Sequence, residues 1–254
     1  PAPVSNANIN TSQRIADVVL GALAKAMPDK VPAASSGSMG LFTIGGLDPR
    51  TGHYYSYVET YGGGQGAVHN QDGMDGVHTN MTNTRNTPVE VIEIAYPLRV
   101  ERYGLVQDTD GPGRFRGGLG LTRELTVIDH SPVMSLGSDR LKLHPWGLLG
   151  GGEGGTVDSW VETPDGAREQ LPSKTTREVG PGTRIVLRTA GGGGYGDPAT
   201  RDPDLVARDV ADGFISRARA RREYRVALDP ASGLVDQAGT KELRGNDPDP
   251  EVEG

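Results

Sequence analysis

Apolar positions change their spacing along the chain, dividing it into a helical opening, a long β-rich middle and a helical close. In residues 9–27, INTSQRIADVVLGALAKAM, the residues Ile15, Val18, Val19, Ala22, Leu23 and Ala26 recur at helical spacing. That spacing predicts one helix with this row buried. Asn10, Thr11 and Ser12 offer capping oxygens at its start, and Pro28 ends it. From about residue 40 to residue 190 the period drops toward that of strands. Segments 41–46, 54–60, 89–94, 98–106, 121–128, 133–138, 156–163 and 183–189 are β-branched or aromatic with partial alternation, and are predicted strands. The turn formers GG, DPRTG, DGPG, PDG and PG separate them. A second helix is predicted over 203–222, opened by Asp202-Pro203, with Gly213 dividing it into two pieces. Residues 229–254 show no periodicity and end acidic, so a flexible tail or a strap over a partner is expected there. The fold class predicted is α+β. A glycine-rich, mostly β domain, sandwich or layered sheet, occupies residues 1–228 and carries a helix at each end.

Composition sharpens this picture at one residue type. Glycine supplies 38 of 254 residues, clustered at 62–66, 117–120, 150–155 and 191–196 without a collagen-like period. Clusters of this kind imply tight turns or backbone packed against backbone. The run AGGGGYG at 190–196 follows a predicted strand, as a phosphate loop would, but Asp197-Pro198 stands where a Lys-Ser/Thr pair opening a helix is required. Close backbone crossings are therefore expected there and at GLLGGGEGG, 147–155.

A net charge of −7 argues against nucleic-acid binding. The absence of cysteine excludes disulfides, thiolate metal sites and a cysteine nucleophile, and fits a cytoplasmic setting. No apolar run approaches the roughly 18 residues of a membrane span. The opening PAPVSNANIN has neither a signal-peptide layout nor a methionine, which fits a processed or split product, or a trimmed methionine.

The densest concentration of chemistry lies between two predicted strands, in residues 59–90. Glu59, His69, Asp72, Asp75, His78, Asn80, Thr82, Asn83 and Asn86 fall within it, among glycines and without alternating apolar residues. A loop of that length inside a compact domain is usually functional. The same residue types also build turns by bonding local backbone, so scaffolding is the competing account. The spacing H-x2-D-x2-D-x2-H suits a hard or borderline metal by residue type, but it is not a zinc signature. Neither a nucleophile elbow nor a serine-triad spacing is present.

Beyond single residues, ordered blocks along nearly the whole chain resemble one family. These are SNANINTSQRIADVVLGALA, VPAASSGSMG, YVETYGGGQGAVHNQDGMDGVHTNMTNTRNTPVEVIEIAYPLRVERY, RFRGGLGLTRE, HPWGLLGGGEG, TAGGGGYGDP and DVADGFISRARARREYRV. Together they look like the C-terminal half of a hydantoinase B/oxoprolinase-type subunit. The resemblance implies an ATP-dependent enzyme that opens a cyclic amide of the hydantoin, 5-oxoproline or lactam type through a phosphorylated substrate. ATP and Mg would be bound by an A-type partner subunit, and this chain would line the reaction chamber. Ketone carboxylases are related, and a purely assembling subunit is a further alternative. Any catalytic zinc or manganese is implied to sit in the N-terminal half of the B-type subunit, expected as a separate partner chain in a hetero-oligomer. Within this chain the resemblance points to His69, Asp72 and His78 as catalytic, and to Glu59, Asp75, Asn80, Thr82, Asn83 and Asn86 as substrate-binding.

Overall fold

A computed structural model describes residues 10–245. Its elements in chain order are α1 (Ser12–Ala24), β1 (Leu41–Leu47), β2 (Tyr54–Glu59), α2 (Val89–Ala95), β3 (Leu98–Leu105), β4 (Leu121–Val127), β5 (Val133–Gly137), β6 (Trp160–Glu162), β7 (Arg168–Gln170), β8 (Lys174–Glu178), β9 (Arg184–Arg188), α3 (Pro203–Ala211), α4 (Arg217–Glu223) and α5 (Gln237–Gly245). The strands form two antiparallel sheets, ordered β2-β1-β5-β8 and β3-β4-β9-β6-β7. Alternate residues of each sheet meet in one core: Phe42, Ile44, Tyr57, Met134 and Leu136 from the first, and Leu98, Leu125, Val127, Ile185 and Leu187 from the second. Helix, sheet and core agree with the α+β sandwich the spacing predicts.

The glycine clusters build a second layer at one end of the sandwich. Segments leaving β2 and β9, and the segment entering β4, converge there and bond laterally through backbone. Gly64 donates to the Ala190 carbonyl at 3.0 Å, Gly118 to Gln65 at 2.8 Å, and Gly192 to Gly118 at 2.8 Å. No side chain fits between them. A Cβ on Gly64 would stand 1.9 Å from the Gly118 oxygen, and one on Gly192 would stand 2.0 Å from the Gln65 oxygen. The close crossing expected from the glycine runs is the observed packing.

Beyond this layer, α3 and α4 close a small cluster of Val206, Ile215, Ala220, Tyr224 and Val226. Gly213, at φ +76°, makes the break between the two helices that the sequence anticipates. Asp202 accepts from the Asp204 amide at 2.9 Å and Ser216 from the Arg219 amide at 3.1 Å, each capping its helix.

Several local expectations are corrected. Segment 89–94 is the helix α2 and not a strand. Pro88 enters it at φ −55°, Glu90 sits in its first turn, and Ile92 is its buried residue. The span 156–163 contracts to β6, while β7 and β8 are strands the pattern misses. Both are charged and lie at sheet edges, where no apolar alternation is demanded. The acidic tail is not featureless from Asp229: residues 237–245 form α5, which buries Thr240, and Arg244 donates to the Arg201 carbonyl at 2.6 Å. Residues 246–254, where the rest of the predicted tail falls, lie outside the described residues.

The largest correction concerns α1. The helix forms, but the predicted buried row Ile15, Val18, Val19, Ala22, Leu23 and Ala26 is not buried; all six residues are exposed. Gln13, Asp17 and Ala24 face inward instead. Two contacts set this roll. Asp17 pairs with Arg140 at 2.7 Å, and Gly21 lies so close to Trp146 that a Cβ would stand 3.2 Å from its ring.

Candidate functional site

The long loop after β2 is pinned at its base by one carboxylate. Glu59, buried at the end of β2, accepts from the Tyr57 hydroxyl at 2.5 Å and from the Thr87 amide at 2.5 Å. Arg123 reaches the same carboxylate at 3.4 Å and stacks over Tyr103 at 4.3 Å. Asn86 donates to the Thr60 carbonyl at 2.9 Å and accepts from the Tyr103 hydroxyl at 2.8 Å. Glu59 and Asn86 thus tie the two ends of the loop together.

Its first half runs through the glycine layer, and there Asp72 and Asp75 are taken up by arginines. Asp72 accepts two bonds from Arg201, both at 2.7 Å, and one from the Arg116 amide at 2.8 Å. Asp75 accepts from Arg116 at 2.8 and 3.1 Å and from the Leu119 amide at 2.7 Å. Both arginines also bond Asp209 of α3, at 3.3 Å from Arg116 and 2.9 Å from Arg201. The network fastens the loop to the helical cap. His69 is elsewhere, exposed in the tight turn that the Val68 and Gln71 backbones close, with Asp29 nearby. The spacing therefore does not bring the two histidines and two aspartates to one point. Among the described residues no three His, Asp or Glu side chains are placed to share a metal ion.

His78 lies in a different setting. It lines a polar cavity of about 140 Å³ together with Asp17, Ser35, Gln65, Asn80 and Trp146. Thr82 Oγ1 lies 2.6 Å from the Met39 sulfur and 3.3 Å from His78 Nδ1. Nε2 is buried with no hydrogen-bond partner among the described residues. Burial pushes the His78 pKa below its ordinary value, opposed by the Thr60 carbonyl, so the ring is held neutral.

Asp17 is the charged residue lining the same cavity. Burial raises its pKa against the pull of Arg14 at 2.9 Å and Arg140 at 2.7 Å, and the Asn80 side chain also bonds it. Arg140, crowded by burial and by Arg14, is pushed down to about 10. Asn80 is in the left-handed region at φ +63°, and Thr79 donates to Ser35 at 3.0 Å. Asn83 lies on the exposed arm of the loop. Of the sequence-predicted residues, then, His78 and Asn80 line the cavity and Thr82 positions the ring. The sequence reading missed Asp17, Ser35, Gln65 and Trp146. The available signal was Asp17 itself, a carboxylate four residues after Gln13 on the side of α1 away from the apolar row.

The sequence profile described as Hydantoinase B/oxoprolinase matches residues 1–198. The chain belongs to the hydantoinase B/oxoprolinase family. It is 38% identical over 247 residues to a Pseudomonas protein named as the B component of a D-/L-hydantoinase, covering 96% of this chain and 40% of that one. It is 32% identical over 255 residues to the beta chain of the Pseudomonas jessenii caprolactamase, covering 94% of this chain and 42% of the relative. The crystal structure of the ATP-dependent caprolactamase from Pseudomonas jessenii superimposes with a TM-score of 0.76 at 29% identity, over 88% of this chain and 40% of that one. An acetone carboxylase structure shares the fold, with a TM-score of 0.72 at 21% identity, over 88% of this chain and 34% of the other. The chain thus spans about two fifths of the hydantoinase and caprolactamase chains it matches.

Proposed function

We propose that this chain is the C-terminal half of a B-type subunit in an ATP-dependent enzyme that opens a cyclic amide, and that the His78 cavity is part of the reaction-chamber wall. The observation that carries the reading is His78. A neutral imidazole whose buried Nε2 has no hydrogen-bond partner among the described residues lines one polar cavity with a carboxylate and amides, inside the region matched to the family.

An unactivated lactam resists attack because its resonance must be broken. ATP, bound with Mg by an A-type partner subunit, supplies the phosphoryl group that makes the amide oxygen a leaving group. This chain's glycine runs do not fit that nucleotide. The amides of Gly191, Gly192, Gly193 and Gly194 already donate to Gly155, Gly118, Ala34 and Gly152. Nor do the described residues fit a zinc or manganese ion, so no step passes through one here.

What the chain offers is proton transfer and orientation. His78 is the neutral imidazole of the cavity and would take a proton from the attacking water once its buried Nε2 is opened to the chamber, with Thr82 packed against its Nδ1. Asn80 and Gln65 supply neutral amide donors for the negative charge that builds on the phosphorylated oxygen as it leaves. Asp72, Asp75, Glu59 and Asn86 act at one remove, by fixing the loop that carries His78 and Asn80.

The test is the assembled complex: this chain with the N-terminal half and an A-type subunit, supplied with MgATP. Loss of a hydantoin, 5-oxoproline or caprolactam that falls about 10²-fold in His78→Gln supports the reading. Bicarbonate-dependent loss of acetone instead would assign ketone carboxylation. Full turnover in His78→Gln would leave the loop as scaffolding in an assembly subunit.

A further inference from the structure

Helix α1 is amphipathic in the reverse sense to a helix that serves its own core. Its inward face carries Gln13 and Asp17, and the latter forms a wall of the His78 cavity. Its outward face carries Ile15, Val18, Val19, Ala22, Leu23, Ala26 and Met27, an uncharged row in which Val18 is 71% and Ile15 59% exposed. A contiguous apolar stripe of this kind, at the i, i+3, i+4, i+7 spacing, is the pattern an amphipathic helix presents to a hydrophobic groove. Orienting the apolar row outward forgoes burial worth about 1.5–3 kcal/mol for each large aliphatic side chain, so a covering surface is implied.

We propose that the outward face of α1 docks into an apolar groove of the N-terminal half of the B-type subunit, so that one helix joins the two halves and forms the partition between that half and the His78 cavity. The inference rests on the C-terminal-half reading given above. Two observations select this occupant. The hydantoinase and caprolactamase relatives carry about three fifths of their length outside the match, so a large body of family polypeptide is there to be seated. The helix that bears the stripe also bears Asp17 on its other face, so the part seated on it is one helix away from the cavity. Another exposed apolar patch, with Leu47, Tyr54 and Val58 around β1 and β2, has no such continuity with the cavity.

The experiment co-expresses the full chain with the N-terminal half of a B-type subunit and measures association by pull-down and by titration of the separated partners. Val18→Glu combined with Leu23→Glu should weaken association at least about 100-fold, as expected for the centre of an interface. Tyr54→Glu, on the other patch, should leave it unchanged. A circular-dichroism melt matching the wild type shows that the double variant has folded. Hydrogen exchange of the wild-type complex should show α1 protected on binding. Unchanged association in the folded double variant, or loss in Tyr54→Glu alone, overturns the docking face while leaving the functional reading standing. A chain that sediments as a dimer, and as a monomer after the double substitution, assigns the face to a second copy and overturns the proposal. No association of the wild-type partners overturns the docking and the C-terminal-half reading together.

Discussion

Replacing Arg201 with methionine should cost this protein much of its stability. The guanidinium is 2% exposed and makes four bonds: two to Asp72, one to Asp209 and one to the Arg114 carbonyl at 3.1 Å. Methionine keeps most of the volume and none of the charge. It leaves Asp209, itself nearly buried, with only Arg116 at 3.3 Å, and leaves Asp72 with the Arg116 amide. Removing one partner of a buried ion pair costs about 3–5 kcal/mol, chiefly because the other charge is left uncompensated. For a chain of this size that corresponds to a melting temperature lower by about 6–20 °C. Thermal and urea melts followed by circular dichroism measure it, with His69→Ala, at an exposed turn, as the control expected to stay within about 0.5 kcal/mol. Asp72→Asn retains an acceptor for Arg201 and should cost less, about 1.5–3 kcal/mol for a charged hydrogen bond weakened. A shift below about 1 kcal/mol in Arg201→Met would refute the view that this network fastens the loop to the helical cap. An Asp72→Asn variant with an unchanged melt and lost turnover would place Asp72 in the chemistry itself.

Further outcomes follow from the same geometry. Gly192→Ala should unfold the glycine layer, since its Cβ would fall 2.0 Å from a backbone oxygen, whereas Gly137→Ala, with nothing within 4 Å, should be tolerated; expression and melting of the pair decide it. Isothermal titration of the isolated chain with MgATP should give no heat of binding, and a micromolar affinity would contradict the assignment of nucleotide binding to a partner. His78 should titrate by NMR below the ordinary histidine value of about 6.5. The unfolded chain then binds the proton more readily, so His78 lowers stability as pH falls below about 6.5 and ceases to do so below its folded pKa. A midpoint at or above that value would mean the ring is not held neutral.

The sandwich was readable because its strands alternate toward a single core, and six of the eight predicted strands lie within a residue or two of the observed ones. A seventh was shortened to β6, and the remaining one is α2. Where reading failed, a local signal competed with a tertiary one. VEVIEI alternates like a strand, yet Pro88 and Glu90 initiate a helix that needs only Ile92 inside. Edge strands β7 and β8 carry no apolar alternation because neither has a fully buried residue. The glycine layer was legible as close packing, since clustered glycine has few other uses, but which runs cross which depends on contacts far apart in sequence.

The candidate site was legible only in part for the same reason. Residues 69–78 present regular spacing, and regular spacing invites a shared ligand. In extended backbone interrupted by glycines, however, neighbouring side chains diverge: His69 to a turn, Asp72 and Asp75 to Arg201 and Arg116, His78 to the cavity. The partners that decide these fates lie more than 40 residues away, and no local pattern announces them. Helix α1 carries the lesson furthest. Its periodicity correctly predicted a helix and an apolar row, but periodicity does not say which body the row is for. Asp17, held at 2.7 Å by Arg140, and Gly21, packed against Trp146, set the roll and turn the polar face to the cavity. The apolar face is then left for another surface. Under the docking proposed above, that surface belongs to the three fifths of the hydantoinase and caprolactamase relatives that lie outside the match.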